Sequence, residues 1–489
     1  MKKFAKGLFV LLFAVVLATF TISCASDNNA SGDTQKKEKA NKKAKFDQAI
    51  FDEAYANGDY LTCIFQIGLK KDKDDVIMDR LNVNMLQYFM KDYETSGKAF
   101  FETQGEMQLM SADTSAGKAM EAALGGERNV NYSGAVYERL LTYSMRIVNS
   151  MATGKFDEAQ GVVNTYVGDY KDVIAPLVQQ QKEIAAESEG VLNDPKVSKG
   201  MEVLGKYTSL GIDGMTNGIP PKSDVMYETS PFLSYLGTLV YAANNDPDHA
   251  TDFASVMKTK LPDFDVTEDI TVPAGKGRLN VLSLAGTIGK RADSDLPKVE
   301  LFNIGKEYGQ DFPVYFKPSY PIFDPAAQNH AIKSVRVKLS NGDEKNSVII
   351  ENFDEAVAID VAYKARGAFN RSIFRNIVKI AAIVPTSIVA MEGVQKAQSA
   401  NPIAGVAAQV ALTAAKVGVN AIAEAEVADT RQCAYFPNFA STAGFTVDPG
   451  TYTATVEFLN GETVVDTHVL ENVVVEEGKL SVQVVSCEK

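Results

Sequence analysis

A chain of 489 residues, 45% hydrophobic and 23% charged, has ordinary globular composition and is long enough for several cores. Its formal net charge of −13 argues against nucleic acid as a partner. Three His and four Cys are scattered without metal-ligand spacing, so the sequence leads us to expect neither metal nor cofactor.

The first residues read as an export signal. Lys2, Lys3 and Lys6 precede an apolar core from Leu8 to Phe20, too short to span a bilayer comfortably as a permanent helix. "TISC" (21–24) follows, then the polar "ASDNNASGD". A small residue before a Cys, directly after the apolar core, is what lipoprotein signal peptidase needs. Residues 1–23 are therefore expected to be a lipoprotein signal peptide, with Cys24 the lipidated N-terminus carrying palmitate-type acyl chains. Two or three chains anchor stably where one does not. The other reading is ordinary signal cleavage and a soluble secreted product. Ala25 in place of Asp after the Cys favours the outer membrane, facing the periplasm or the surface. Residues 24–45 carry six lysines and no apolar pattern, and so read as a flexible tether. Attraction of those lysines to an anionic leaflet is the alternative. Removing the signal's three lysines takes the net charge from −13 to −16.

From 46 to 262 the apolar period is helical. "AYANGDYLTCIFQIGLK" (54–70), "LQYFMKDYETSGKAFF" (86–101), "RIVNSMATGKFDEAQGVV" (146–163) and "SYLGTLVYAANNDPDHATDFA" (234–254) each read as helix, tight turn, helix. Tyr60 and Tyr93 are 33 residues apart, near the tetratricopeptide period, so an irregular tetratricopeptide-like array is expected, with an unrelated helical bundle as the alternative. "GMEVLGKY" (200–207) imitates a phosphate loop, but Tyr207 stands where a Ser or Thr must hold magnesium and no buried strand precedes it.

From 263 to 353 the period becomes two, and "VRVKLSNGDEKNSVIIENF" (335–353) carries a hairpin signal at Asn341-Gly342. The Pro-aromatic strip "FPVYFKPSYPIFDP" (312–325) reads as an edge or crossing. Residues 354–428 are expected to form an Ala-rich helical hairpin. The uncharged run 397–415 raises the alternative of membrane insertion, but it is dominated by Ala and Gly. Residues 429–489 are β again, either one half of a small sandwich or strands completing the sheet begun earlier. The expected fold class is thus α+β and multidomain. Asp429 and Arg431, where the helix ends and the β unit begins, are expected to pair and fix that junction, with Tyr435, Phe436 and Phe439 beneath. A disulfide between Cys433 and Cys487 suits an exported chain, leaving Cys63 as a buried thiol.

"ADTR" followed by "CAYFPNF" resembles the helix-to-strand junction of an uncharacterised family of bacterial envelope lipoproteins with tetratricopeptide-like N-terminal halves. "NVNYSGAVYERLL" resembles that family's helix start at Asn129, Tyr132, Gly134, Tyr137 and Glu138, and "SPFLSYLGTLVYAANND" its later Asn-Pro-Phe helix, with Ser230 for the Asn. The resemblance implies an envelope setting and no assigned activity. The expected function is a non-enzymatic, membrane-anchored scaffold or accessory factor with an envelope protein partner. The alternative is a ligand- or glycan-binding surface lipoprotein. An enzyme of envelope glycan would need a site motif, and none is present.

Overall fold

The computed structural model describes residues 45–70, 75–112, 115–294, 296–324, 330–400 and 426–489, with scattered positions between 406 and 421. The signal peptide, Cys24 and all of the tether except Lys45 lie outside the described residues, as do most of residues 401–425, on which the second helix of the expected Ala-rich hairpin falls.

Four helical hairpins share one turn. α1 (Gln48–Ala56) and α2 (Tyr60–Gly68), then α3 (Val76–Phe89) and α4 (Tyr93–Ala112), form the first two. After α5 (Ala116–Gly125) come α6 (Val136–Ala152) and α7 (Phe156–Asp169). The insertion α8 (Ala175–Gly190), α9 (Pro195–Leu204) and the single turn α10 (Ile212–Met215) separates these from α11 (Pro231–Ala243) and α12 (Pro247–Lys258). At each hairpin one residue takes the left-handed conformation: Gly58 (φ 70°), Lys91 (61°), Gly154 (72°) and Asn245 (58°). The next amide then donates to a carbonyl five residues back, Asp59 to Ala54 at 2.8 Å, Asp92 to Gln87 at 3.2 Å, and Lys155 to Ser150 and Asp246 to Tyr241 at 2.9 Å. That bond satisfies a carbonyl the helix end leaves open. In three of the four, the same residue is an Asp whose carboxylate accepts the amide three residues on and starts the second helix. The hairpins stack in chain order, α2 on α3, α4 on α6, and α7 on α11.

Two four-stranded sheets follow the one-turn helix α13 (Thr267–Ile270). Their strands are β1 (Gly277–Ala285), β6 (Ser334–Leu339), β7 (Glu344–Asn346), β8 (Val348–Asn352), β9 (Phe439–Val447), β10 (Gly450–Asn460), β11 (Thr463–Val475) and β12 (Leu480–Cys487). The first sheet has the order β12-β1-β9-β8 and the second β11-β10-β6-β7, so each takes strands from both β segments. Between them lies a core of Val281, Val337, Phe445, Val456 and Phe458. Every residue of β1 is buried. Leu279 and Val281 face the sandwich, whereas Leu282 and Leu284 join the helical core on the other side. A strand covered on both faces reads as a continuous apolar run rather than a clean alternation. Two ribbons, β2 (Arg291–Asp293) with β5 (Pro321–Phe323) and β3 (Val299–Asn303) with β4 (Pro313–Phe316), take up the Pro-aromatic strip.

α14 (Phe353–Ala400) is one helix of 48 residues that continues through Pro385. By length and composition it could cross a membrane. Phe369, Ile373, Ile377, Ile380 and Val384 are instead buried in a core shared with α9, β4 and β3. The fold is α+β, but Asp47–Lys489 form one compact unit rather than a string of domains, because both sheets are assembled across the α14 segment.

Candidate functional site

A cavity of about 200 Å³ lies where the loop before α6, helices α5 and α8, strand β2 and the first half of α14 meet. Asp360, Lys364, Ala368 and Arg371 line it from one face of α14, at helical spacings of three and four. Ala119, Ala123, Leu177 and Ile184 supply an apolar wall. Gly134, at φ 81°, closes the loop beneath in a conformation that favours glycine, and a Cβ there would displace the Met107 methyl 2.7 Å away.

Charge sets the character of the hollow. Four cations (Arg291, Lys364, Arg371, Arg431) face three carboxylates (Glu127, Asp360, Asp429), in a chain whose net charge is −13. Arg291 Nη2 donates to Asp360 Oδ2 at 2.6 Å, and Lys364 reaches the same carboxylate at 2.8 Å. Burial pushes the Asp360 carboxyl up, but Lys364 and Arg291 together hold it below the usual carboxylate range. Arg431 is bidentate to Asp429, both bonds at 2.8 Å, and donates to the Val130 carbonyl at 2.9 Å. Its guanidinium lies 5.2 Å above the Tyr132 ring, and that of Arg291 lies 5.4 Å above Tyr137.

Two guanidinium nitrogens are left over. Arg291 Nε and Arg431 Nη1 are buried with no hydrogen-bond partner, and so is Gln181 Oε1, an acceptor on the same wall. Their side chains are 5% and 2% exposed, which places the donors beyond bulk water. A buried polar group left unmade costs about 1–3 kcal/mol, more when charged. With four cations against three carboxylates on its wall, the hollow is suited to a small anion.

Around the cavity further charged side chains pair with one another. On α14, Arg371 is bidentate to Glu127 at 2.9 Å, Arg375 bridges Glu127 and Glu426, and Lys379 closes the series on Glu426. The segment 428–438 threads between the helices and the sheet. The Cys433 amide donates to buried Glu138 at 2.7 Å and that of Ala434 to Asn82 at 2.8 Å, while the Ile288 amide donates to the Phe436 carbonyl at 2.7 Å. Tyr435 stacks on Tyr55 and Phe436 on Phe100. Glu138 also accepts from the Tyr132 hydroxyl and the Ala135 amide.

Of the residues singled out in the sequence, Asp429 and Arg431 stand on the cavity wall, and Cys24 lies outside the described residues. Cys433 and Cys487 are free thiols, which corrects the expected disulfide. Cys433 belongs to the helical core and Cys487 to the sandwich core, and the first sheet lies between those cores. Sequence reasoning missed Arg291, Asp360, Lys364 and the Glu127–Arg371 pair. The available signals were the Asp360–Lys364 pair and Arg371, Arg375 and Lys379, all at spacings of four along α14. Comparison with known protein families, curated proteins and solved structures returns no match.

Proposed function

We propose that this chain is a non-enzymatic lipoprotein of the bacterial cell envelope, tethered through Cys24, that binds a small organic anion in the cavity beside Asp429 and Arg431. The observation that carries the reading is the net-positive wall of the hollow, on which Arg291 and Arg431 each keep a buried guanidinium nitrogen without a partner. At about 200 Å³ the cavity falls below the range of about 300–1,000 Å³ typical of drug-sized sites, which limits the ligand to a small carboxylate or phosphate with a short apolar body. The stretches that carry the family resemblance meet here: Tyr132, Gly134, Asp429 and Arg431 line the cavity, with Tyr137 and Glu138 behind them.

A protein partner is the second reading. Its support is the exposure of Leu61, Phe65, Phe101 and Leu109 on α2 and α4. The shared turn of the four hairpins supports treating them as a tetratricopeptide-like array, a common platform for protein recognition.

The test is a thermal-shift screen of the full chain in detergent against small carboxylates and phosphates. We expect at least one to raise Tm, and the shift to vanish in Arg431→Met and shrink in Lys364→Met. Arg431→Met leaves Asp429, 27% exposed and within reach of water, and Lys364→Met leaves Asp360 still paired with Arg291. A panel without any shift, or shifts unchanged in both variants, overturns the proposal.

A further inference from the structure

A different site is built at the rim of the sandwich. Asp466 and His468 are two apart on β11, so they lie on one face of that strand. That face is turned inward: Asp466, His468 and Leu470 are half-buried, whereas Thr467 and Val469 are exposed. β11 is the edge of the second sheet, and Cys487 ends β12, the edge of the first. One ligand atom from each of the three lies within 4.8 Å of the others. Cys487 Sγ is 3.5 Å from Asp466 Oδ2, and His468 Nε2 is 3.7 Å from the same oxygen. None of the three lines the cavity described above.

We propose that Asp466, His468 and Cys487 form a site for a divalent cation of the zinc class. Thiolate, imidazole and carboxylate together suit a borderline-soft ion, not calcium or magnesium. Zinc–ligand bonds of about 2.0–2.3 Å in a tetrahedron put the ligand atoms about 3.3–3.6 Å apart. The observed 3.5 and 3.7 Å to Asp466 need little adjustment, and the Cys487–His468 pair, within 4.8 Å, closes to the same spacing by small side-chain rotations. Phe458 meets the His468 ring edge-on at 5.5 Å and fixes its plane. Without the metal, Lys489 Nζ supplies the positive charge at Asp466 Oδ2, at 2.8 Å. Its side chain is 57% exposed and free to swing into solvent. On binding, the Cys487 thiol gives its proton to solvent as the sulfur–metal bond forms, the Lys489 ammonium leaves, and a water completes the fourth position. The ion then ties the edge of one sheet to the edge of the other.

The experiment is a titration of the full chain in detergent, under reducing conditions, with cobalt(II) as the spectroscopic probe and zinc(II) as competitor. A sulfur-to-cobalt charge-transfer band in the near ultraviolet, bleached by zinc, is the expected result. Cys487→Ser abolishes the band, and His468→Gln weakens binding by at least about tenfold, the loss typical even of an outer-shell partner. Lys489→Ala, at an exposed side chain, leaves the fold intact and tightens binding. Absence of the band, its survival in Cys487→Ser, or indifference to Lys489→Ala overturns the site.

Discussion

Glu351 shows how much a single residue can carry. It is 7% exposed, and its carboxylate accepts from Ser230 Oγ at 2.5 Å, the Phe232 amide at 3.0 Å and the Tyr227 hydroxyl. A residue of β8 thereby caps the first turn of α11 and joins the helical stack to the sheet. Burial pushes the carboxyl up to about 7, against the lowering effect of those three hydrogen bonds. A folded-state value above the unfolded one gives stability that is complete below the unfolded value and lost as pH rises through about 7. We predict that this group alone removes up to about 3 kcal/mol between pH 4.5 and 8. Denaturant unfolding of Glu351→Gln should lose that slope while retaining the wild-type dependence below pH 4. An equal slope in both proteins would place the titration elsewhere. In the sequence Glu351 is one more carboxylate in a strand, because its partners stand 119 to 124 residues away. Asp429 and Arg431, two residues apart at a change of period, were legible as a pair. The bond from Arg431 to Val130, 301 residues away, was not.

The helical hairpin is the element whose origin is plainest. Its four turns place Gly, Lys, Gly and Asn at the same left-handed position, and for a side chain that conformation costs about 1–2 kcal/mol. Gly154→Ala is expected to destabilise the chain by about that amount. Lys91→Gly should be neutral to stabilising by up to about 1 kcal/mol, because relief of strain is partly offset by unfolded-state entropy. Thermal or chemical unfolding of the two variants checks both signs, and a stabilising Gly154→Ala would contradict the turn geometry. The turns could be read locally because each is made by residues within six positions of one another. α14 shows the opposite case. Pro385 would end an isolated helix, yet Ile377, Ile380 and Val384 before it and Met391 and Val394 after it are buried in one core. Packing overrides propensity there, and no local pattern announces it.

At the scale of the whole molecule, two β segments separated by α14 fold into the same two sheets, so neither sheet is complete without both ends of that helix. Alternation revealed the strands, but it could not reveal their partners, since pairing such as β1 with β12 joins residues about two hundred apart. The same distance hid the cavity, whose walls come from six separate stretches of chain. Tethering at Cys24 predicts that the mature N-terminal peptide, released by protease and weighed by mass spectrometry, carries diacylglycerol, and that Cys24→Ala frees the chain from membranes. An unmodified N-terminal peptide would leave a soluble exported protein. The central claim is that Arg291 and Arg431 await an anion. Native mass spectrometry of the full chain, extracted from membranes in mild detergent, tests it most directly. The account predicts a small anionic adduct on the wild type that is absent from Arg431→Met; wild type and variant of identical bare mass, or the same adduct on both, would contradict it.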